Sequence, residues 1–98
     1  MKINVEKNNE TLNVALEGRL DTTTAPDLEK VINEQTEGVK KVNLDMKQLE
    51  YISSAGLRVL LATHKKMGGE EGFKVTGVCD TVMEVFEITG FADILNIE

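Results

Sequence analysis

Two adjacent hydroxyls, Ser53 and Ser54, precede Ala55 and Gly56, so little side-chain bulk surrounds them. They follow a strand-like run, Val42-Asn43-Leu44-Asp45-Met46, and a short polar loop, and a strongly amphipathic segment begins at about Ser54. A hydroxyl at a helix start lies at the positive end of the helix dipole, among backbone N–H groups that have no intrahelical partner. Three chemistries suit such a group. It can cap the helix, a role whose loss costs ~1 kcal/mol. It can act as a nucleophile. It can accept a phosphate.

The nucleophile reading fails on geometry. An elbow of the Gly-x-Ser-x-Gly type needs a glycine two residues before the serine, and the residue there is Ile52. The only histidine, His64, lies ten positions beyond Ser54. On one helix that is about 15 Å, whereas a general base must come within roughly 3 Å. Capping and phosphorylation remain. A phosphate adds roughly −1.5 to −2 charges and three acceptor oxygens. The free N–H groups of a helix start can hold that anion while the surface changes sign, which makes a local switch for a docking partner.

The elements that must carry these serines follow from periodicity. Ile3 and Val5, then Leu12, Val14 and Leu16, alternate with polar residues around the turn cluster Asn8-Asn9-Glu10, which predicts an antiparallel hairpin with one buried face on each strand. A helix is expected from about Ala25 to Glu37, with Thr24 as N-cap, Pro26 in the first turn, Leu28, Val31 and Ile32 on its apolar stripe and Gly38 at its end. Val39 to Met46 reads as the third strand, with Asp45 to Glu50 as a polar connection. The second helix spans about Ser54 to Met67, with Leu57, Leu60, Leu61 and His64 on one stripe; Arg58, Lys65 and Lys66 are solvated, and Gly68-Gly69 ends it. Phe73 to Val78 is a short strand. Asp80 can cap a third helix with Val82, Val85 and Phe86 facing inward, Gly90 terminates it, and Ile94, Leu95 and Ile97 form a last strand or docked tail. The order β-β-α-β-α-β-α-(β) implies a small mixed α/β sheet: an antiparallel hairpin, then parallel β-α units with right-handed crossovers and the helices mainly on one face.

Bulk properties narrow the function. Ninety-eight residues make one domain, residues 1–98, and 41% hydrophobic residues suffice for one core. A net charge of −6 argues against nucleic-acid or anionic-membrane surfaces and suits a basic partner patch. The lone Cys79 cannot form an internal disulfide and reads as a small buried apolar residue. With no signal peptide and no long apolar run, a cytoplasmic location is expected and membrane insertion is not. Neither a His/Cys cluster for a metal nor a Gly-Lys-Ser/Thr nucleotide loop is present, so no cofactor, metal or catalytic residue is expected. Asp21-Thr22-Thr23-Thr24 before a helix reads equally as a capping turn and as a functional loop.

The stretch Lys41 to Met46 together with Tyr51-Ile52-Ser53-Ser54-Ala55-Gly56-Leu57-Arg58-Val59-Leu60 resembles the STAS domain, specifically the bacterial anti-sigma factor antagonists. Gly18-Arg19-Leu20-Asp21 matches the family's Gly-x-Leu-Asp at the end of strand two, and Val85-Phe86-Glu87-Ile88-Thr89-Gly90-Phe91 is similar to its closing helix and turn. The resemblance implies a non-enzymatic anti-anti-sigma factor. Its partner would be an anti-sigma factor that is also a serine kinase of the histidine-kinase-like ATPase fold, and a PP2C-type phosphatase would reset it. The family's phosphoacceptor lies two residues before the motif glycine, here Gly56, and so carries over to Ser54. Many members have Asp just before the acceptor; Ser53 stands here instead, which removes a charge and leaves Ser53 as the alternative acceptor. The implied partner surface comprises Asp21, Thr22, Ser53, Ser54, Ala55, Gly56 and Arg58. The competing reading within the family is a non-phosphorylated accessory or scaffold subunit, for example of a lipid-trafficking ABC transporter or a signalling complex.

Overall fold

A computed structural model describes residues 1–98. The strands are β1 (Lys2–Asn8), β2 (Thr11–Leu20), β3 (Lys41–Ile52), β4 (Phe73–Thr76) and β5 (Asn96–Ile97). The helices are α1 (Ala25–Gln35), α2 (Ser54–Lys66) and α3 (Asp80–Thr89), with a single 3-10 turn at Phe91–Asp93. The sheet order is β1-β2-β3-β4-β5; β1 pairs antiparallel with β2, and every later pair is parallel. Each parallel step moves the same way across the sheet, so right-handed crossovers lay all three helices on one face.

Burial follows from that layout. Leu12, Val14 and Leu16 of β2, Val42, Leu44 and Met46 of β3, and Phe73 and Val75 of β4 are buried beneath Leu28 and Ile32 of α1, Leu57 and Leu60 of α2, and Val82 and Phe86 of α3. The intervening residues point to the uncovered face. There Asn13, Asn43 and Lys74 stand in register on adjacent strands, and the Asn43 amide donates to Asn13 Oδ1 at 3.0 Å. The mixed α/β architecture with helices on one face is the expected one. No helix is long and apolar enough to cross a membrane.

Several elements differ from the sequence reading, each for a physical reason. β1 lacks the buried face expected of it: it is an edge strand, Ile3 is only half-buried and Val5 is 41% exposed. β3 does not stop at Met46 but continues to Ile52, absorbing the stretch taken as a connection. Its pairing with β2 shifts register twice, with Ala15 opposite Asp45 but Glu17 opposite Gln48, and Gly18 opposite Leu49 but Arg19 opposite Tyr51. Each shift inserts one extra residue into β3, so buried positions change spacing from Val42, Leu44 and Met46 to Leu49 and Ile52, and alternation is lost. α1 is shorter than expected. β4 ends at Thr76, and Gly77 turns the chain at φ +68° where a Cβ would meet Lys47. On α2 the buried residues are Gly56, Leu57, Val59, Leu60 and Thr63, while Leu61 and His64 are half-buried. The helix packs on both β3 and α1, so its covered arc extends to Val59 and Thr63, which face α1 across from Ile32.

Candidate functional site

Two βα loops emerge side by side from the C-terminal ends of the parallel strands β2 and β3. The backbone joins them: the Ser53 N–H donates to the Leu20 carbonyl at 2.8 Å, carrying the β2–β3 pairing to the threshold of α2. Side chains add a second tie. The Arg19 guanidinium lies 4.4 Å from the centre of the Tyr51 ring, one residue before each strand ends.

Gly56 locks the loops together from below. It is buried, and a Cβ there would lie 2.8 Å from Leu20 Cγ and 2.9 Å from Ile52 Cγ1. Leu20 and Ile52 are themselves core residues, so neither can move aside freely. This corrects the expectation that Gly56 belongs to the exposed surface: it is a packing glycine.

The two serines divide the work of the helix start. Ser53 is the N-cap of α2, in extended conformation at φ −97°, ψ 175°. Its hydroxyl accepts from the Gly56 N–H at 3.4 Å, and its carbonyl accepts the first helical bond from Leu57 N–H at 2.9 Å. Ser54 is the first helical residue and is exposed. Capping, treated in the sequence as the main competitor for the serine pair, therefore falls to Ser53 and leaves Ser54 free of it. Ala55 is half-buried and Arg58 exposed, one turn further along the helix.

The neighbouring loop is closed by its own hydrogen bonds. Asp21 Oδ1 accepts from the Thr23 hydroxyl at 2.7 Å, the Thr23 N–H at 3.0 Å and the Thr24 N–H at 3.2 Å. The Thr24 hydroxyl accepts from the Asp21 N–H at 2.8 Å and donates to the Arg19 carbonyl at 2.8 Å. The Thr23 hydroxyl bond is the main influence on the Asp21 carboxyl; partial burial opposes it, and the Thr23 and Thr24 amides and the Thr24 hydroxyl reinforce it. The net effect holds the acid below the ordinary aspartate range. Thr24, expected to cap α1 with its side chain, makes no such bond; Asp21 ties down the turn that leads into the helix. Thr22, between these groups, is exposed.

Charge distinguishes α2 from the rest of the chain. Within a protein of net charge −6, this helix carries Arg58, Lys65 and Lys66 and no Asp or Glu. The Asp21 and Ser54 loops flank a shallow cleft between α1 and α2, bordered by Thr22, Pro26 and Glu29 on one side and Ala55, Arg58 and Lys65 on the other. His64 sits in the last turn of α2, half-buried, with a buried Nδ1 that has no hydrogen-bond partner. The half-buried Cys79 precedes α3, its Sγ 3.4 Å from the Leu49 carbonyl. It takes the N-cap position that the sequence reading gave to Asp80.

The STAS domain family model matches residues 2–98. This chain belongs to the STAS domain family. Among its relatives, BtrV of Bordetella bronchiseptica, named as a candidate anti-sigma factor antagonist, is 38% identical over 99% of this chain and 85% of that protein. The anti-sigma-B factor antagonist of Staphylococcus aureus is 28% identical over 99% of this chain and 94% of its own length. Among solved structures, an anti-sigma factor antagonist from Mycobacterium paratuberculosis superimposes with a TM-score of 0.86 at 28% identity, over 98% of this chain and 83% of that one. The sequence reading had not separated the capping serine from the exposed one. The signal was the start of α2 itself: a helix that begins at Ser54 has Ser53 at its cap.

Proposed function

We propose that this chain, as one STAS domain in the cytoplasm, is an anti-sigma factor antagonist that works by partner switching. Unmodified, it captures an anti-sigma factor that is also a serine kinase of the histidine-kinase-like ATPase fold and so frees the sigma factor. The kinase then forms a bond from Ser54 Oγ to the γ-phosphorus of ATP as the β,γ-bridging P–O bond breaks. ADP leaves, and the hydroxyl proton passes to a base of the kinase. A PP2C-type phosphatase hydrolyses the ester and resets the switch.

The observation that carries this reading is the separation of the two serines. Ser53 holds the helix cap, so Ser54 can be esterified without undoing the fold, and it is exposed to a kinase. A dianion added there would stand next to Ala55 and one helical turn from Arg58, on the surface that the partner would cover. The names of the relatives support the same role.

The test is to mix the protein with its cognate anti-sigma kinase and ATP and to map the phosphate by mass spectrometry. Ser54→Ala should bind the kinase and accept no phosphate, and Ser54→Glu should bind about tenfold or more weakly, ~1.4 kcal/mol. Stoichiometric phosphate on Ser53 with Ser54 unmodified would refute the assignment. Equal binding by Ser54→Ala and Ser54→Glu would favour the scaffold reading.

A further inference from the structure

The geometry points to Arg58 as the intramolecular counter-ion of a phosphate on Ser54. This rests on the reading that Ser54 is the phosphoacceptor. It goes beyond that reading by saying where the added charge goes.

Ser54 and Arg58 are four residues apart on α2, and such pairs share one face of a helix, one turn apart. Both are exposed, so the guanidinium can reach the ester without a backbone change. Arg58 takes part in none of the four ion pairs of the molecule, which join Lys30 to Glu34, Lys40 to Glu10, Lys47 to Asp45 and Lys74 to Glu98. α2 has no acidic residue to compete for it. The acids nearby come from other elements: Glu29 borders the same cleft from α1, and Asp21 is engaged by Thr23 and Thr24. Of the other cations, Arg19 lies over Tyr51, and Lys65 is two helical turns beyond Arg58.

Arginine is suited to the task. Its planar fork can bind two phosphate oxygens at once, which a lysine cannot do. The acid at the N-terminal position and the base four residues later is also the favoured order for a helical ion pair. Phosphorylation then does two things on one helix. It adds negative charge at Ser54, and it withdraws the Arg58 guanidinium from any docked protein. The modified chain becomes more stable as it becomes a poorer partner.

Phosphoserine encoded directly at position 54 tests this without any kinase. The melting temperature at low salt should rise by about 3 °C over the unmodified protein, from the helical pair and the helix dipole together. In Arg58→Gln about half of that rise should vanish, and the second pKa of the phosphate, followed by 31P NMR, should move up relative to the phosphorylated wild type. Arg58→Lys should recover part of both effects. Lys65→Gln and Lys66→Gln, which each remove one positive charge at the far end of α2, should leave the phosphate titration close to wild type. The inference is overturned if Arg58→Gln titrates like wild type, if either control shifts the phosphate as far as Arg58→Gln does, or if phosphorylation lowers the melting temperature. If a kinase assay instead modified Ser53, the switch would lose its assigned site, yet these measurements would still decide whether Arg58 pairs with a phosphate at 54.

Discussion

The β2–α1 and β3–α2 loops solve one problem in two ways. Each must carry the chain from the end of a parallel strand into a helix and satisfy the free N–H groups at its start. The first does so by saturation: one carboxylate oxygen, Asp21 Oδ1, takes a hydroxyl and two amides, and the Thr24 hydroxyl closes the turn back to Arg19. The second does so sparingly, with one 3.4 Å bond from the Gly56 N–H to the Ser53 hydroxyl, and the next hydroxyl is exposed. A loop whose carboxylate oxygen is taken up by its own turn can position a neighbour, although its Thr22 hydroxyl stays exposed. A loop with a spare group beside its cap can be chemically altered and keep its shape. On the proposed reading, the difference suits Asp21 to holding the loop and Ser54 to being modified.

The comparison depends on the two loops being held as one unit, and the change that should break it most severely is Gly56→Ala. The new methyl group would lie 2.8 Å from Leu20 and 2.9 Å from Ile52, both buried. Overpacking of this kind costs about 1–3 kcal/mol, to be read as a lower urea midpoint at unchanged slope. A loss below about 0.5 kcal/mol would mean that the loops are not locked through this glycine.

How much of this was legible beforehand depends on whether the signal was local. The alternation in β2, the Pro26 and Gly90 boundaries of α1 and α3, and the serine pair before α2 depend on neighbouring residues, and the architecture followed from them. The end of β3 was not legible, because two inserted residues break the alternation and the polar pair Lys47-Gln48 looks like a loop. The buried arc of α2 was misplaced because its extent is decided by α1, far away in the chain. That the expected partner-surface residues lie on two neighbouring loops was legible from the strand order. Which of them cap, which pack and which stay exposed was not, since that depends on where α2 starts and on the space that Leu20 and Ile52 leave beside Gly56.

The next prediction concerns Asp21. Its acid is held below the ordinary aspartate range, chiefly by the Thr23 hydroxyl, so the folded state binds fewer protons than the unfolded chain near that range. The stability it supplies is fully present above an unfolded pKa of about 3.9 and is lost as the pH falls through the lower folded value. Asp21→Asn should lower the melting temperature at neutral pH and flatten the loss of stability below about pH 4, because the variant has no carboxyl to protonate. An unchanged acid limb in a thermal melt series would show that the closed turn is not coupled to folding.

Ser53→Ala should have a smaller effect. Removing an N-cap serine costs about 0.5–2 kcal/mol, and the length of this bond places the loss toward the lower end. Chemical denaturation and amide exchange at Gly56 should both report it, with exchange the more local of the two.

Ser54→Ala sharpens the contrast most, because it is expected to do almost nothing to the fold. The hydroxyl is exposed, the cap is in place one residue earlier, and alanine favours the helix at that position more than serine does. The change in stability should therefore lie within about 0.5 kcal/mol of zero, while phosphate incorporation by a cognate kinase disappears. The pair of substitutions matters more than either alone. Adjacent serines with the same side chain would respond oppositely, one costing stability and sparing modification, the other the reverse. Were Ser54→Ala to cost as much as Ser53→Ala, Ser54 would be part of the cap and the division of labour in this loop would be lost.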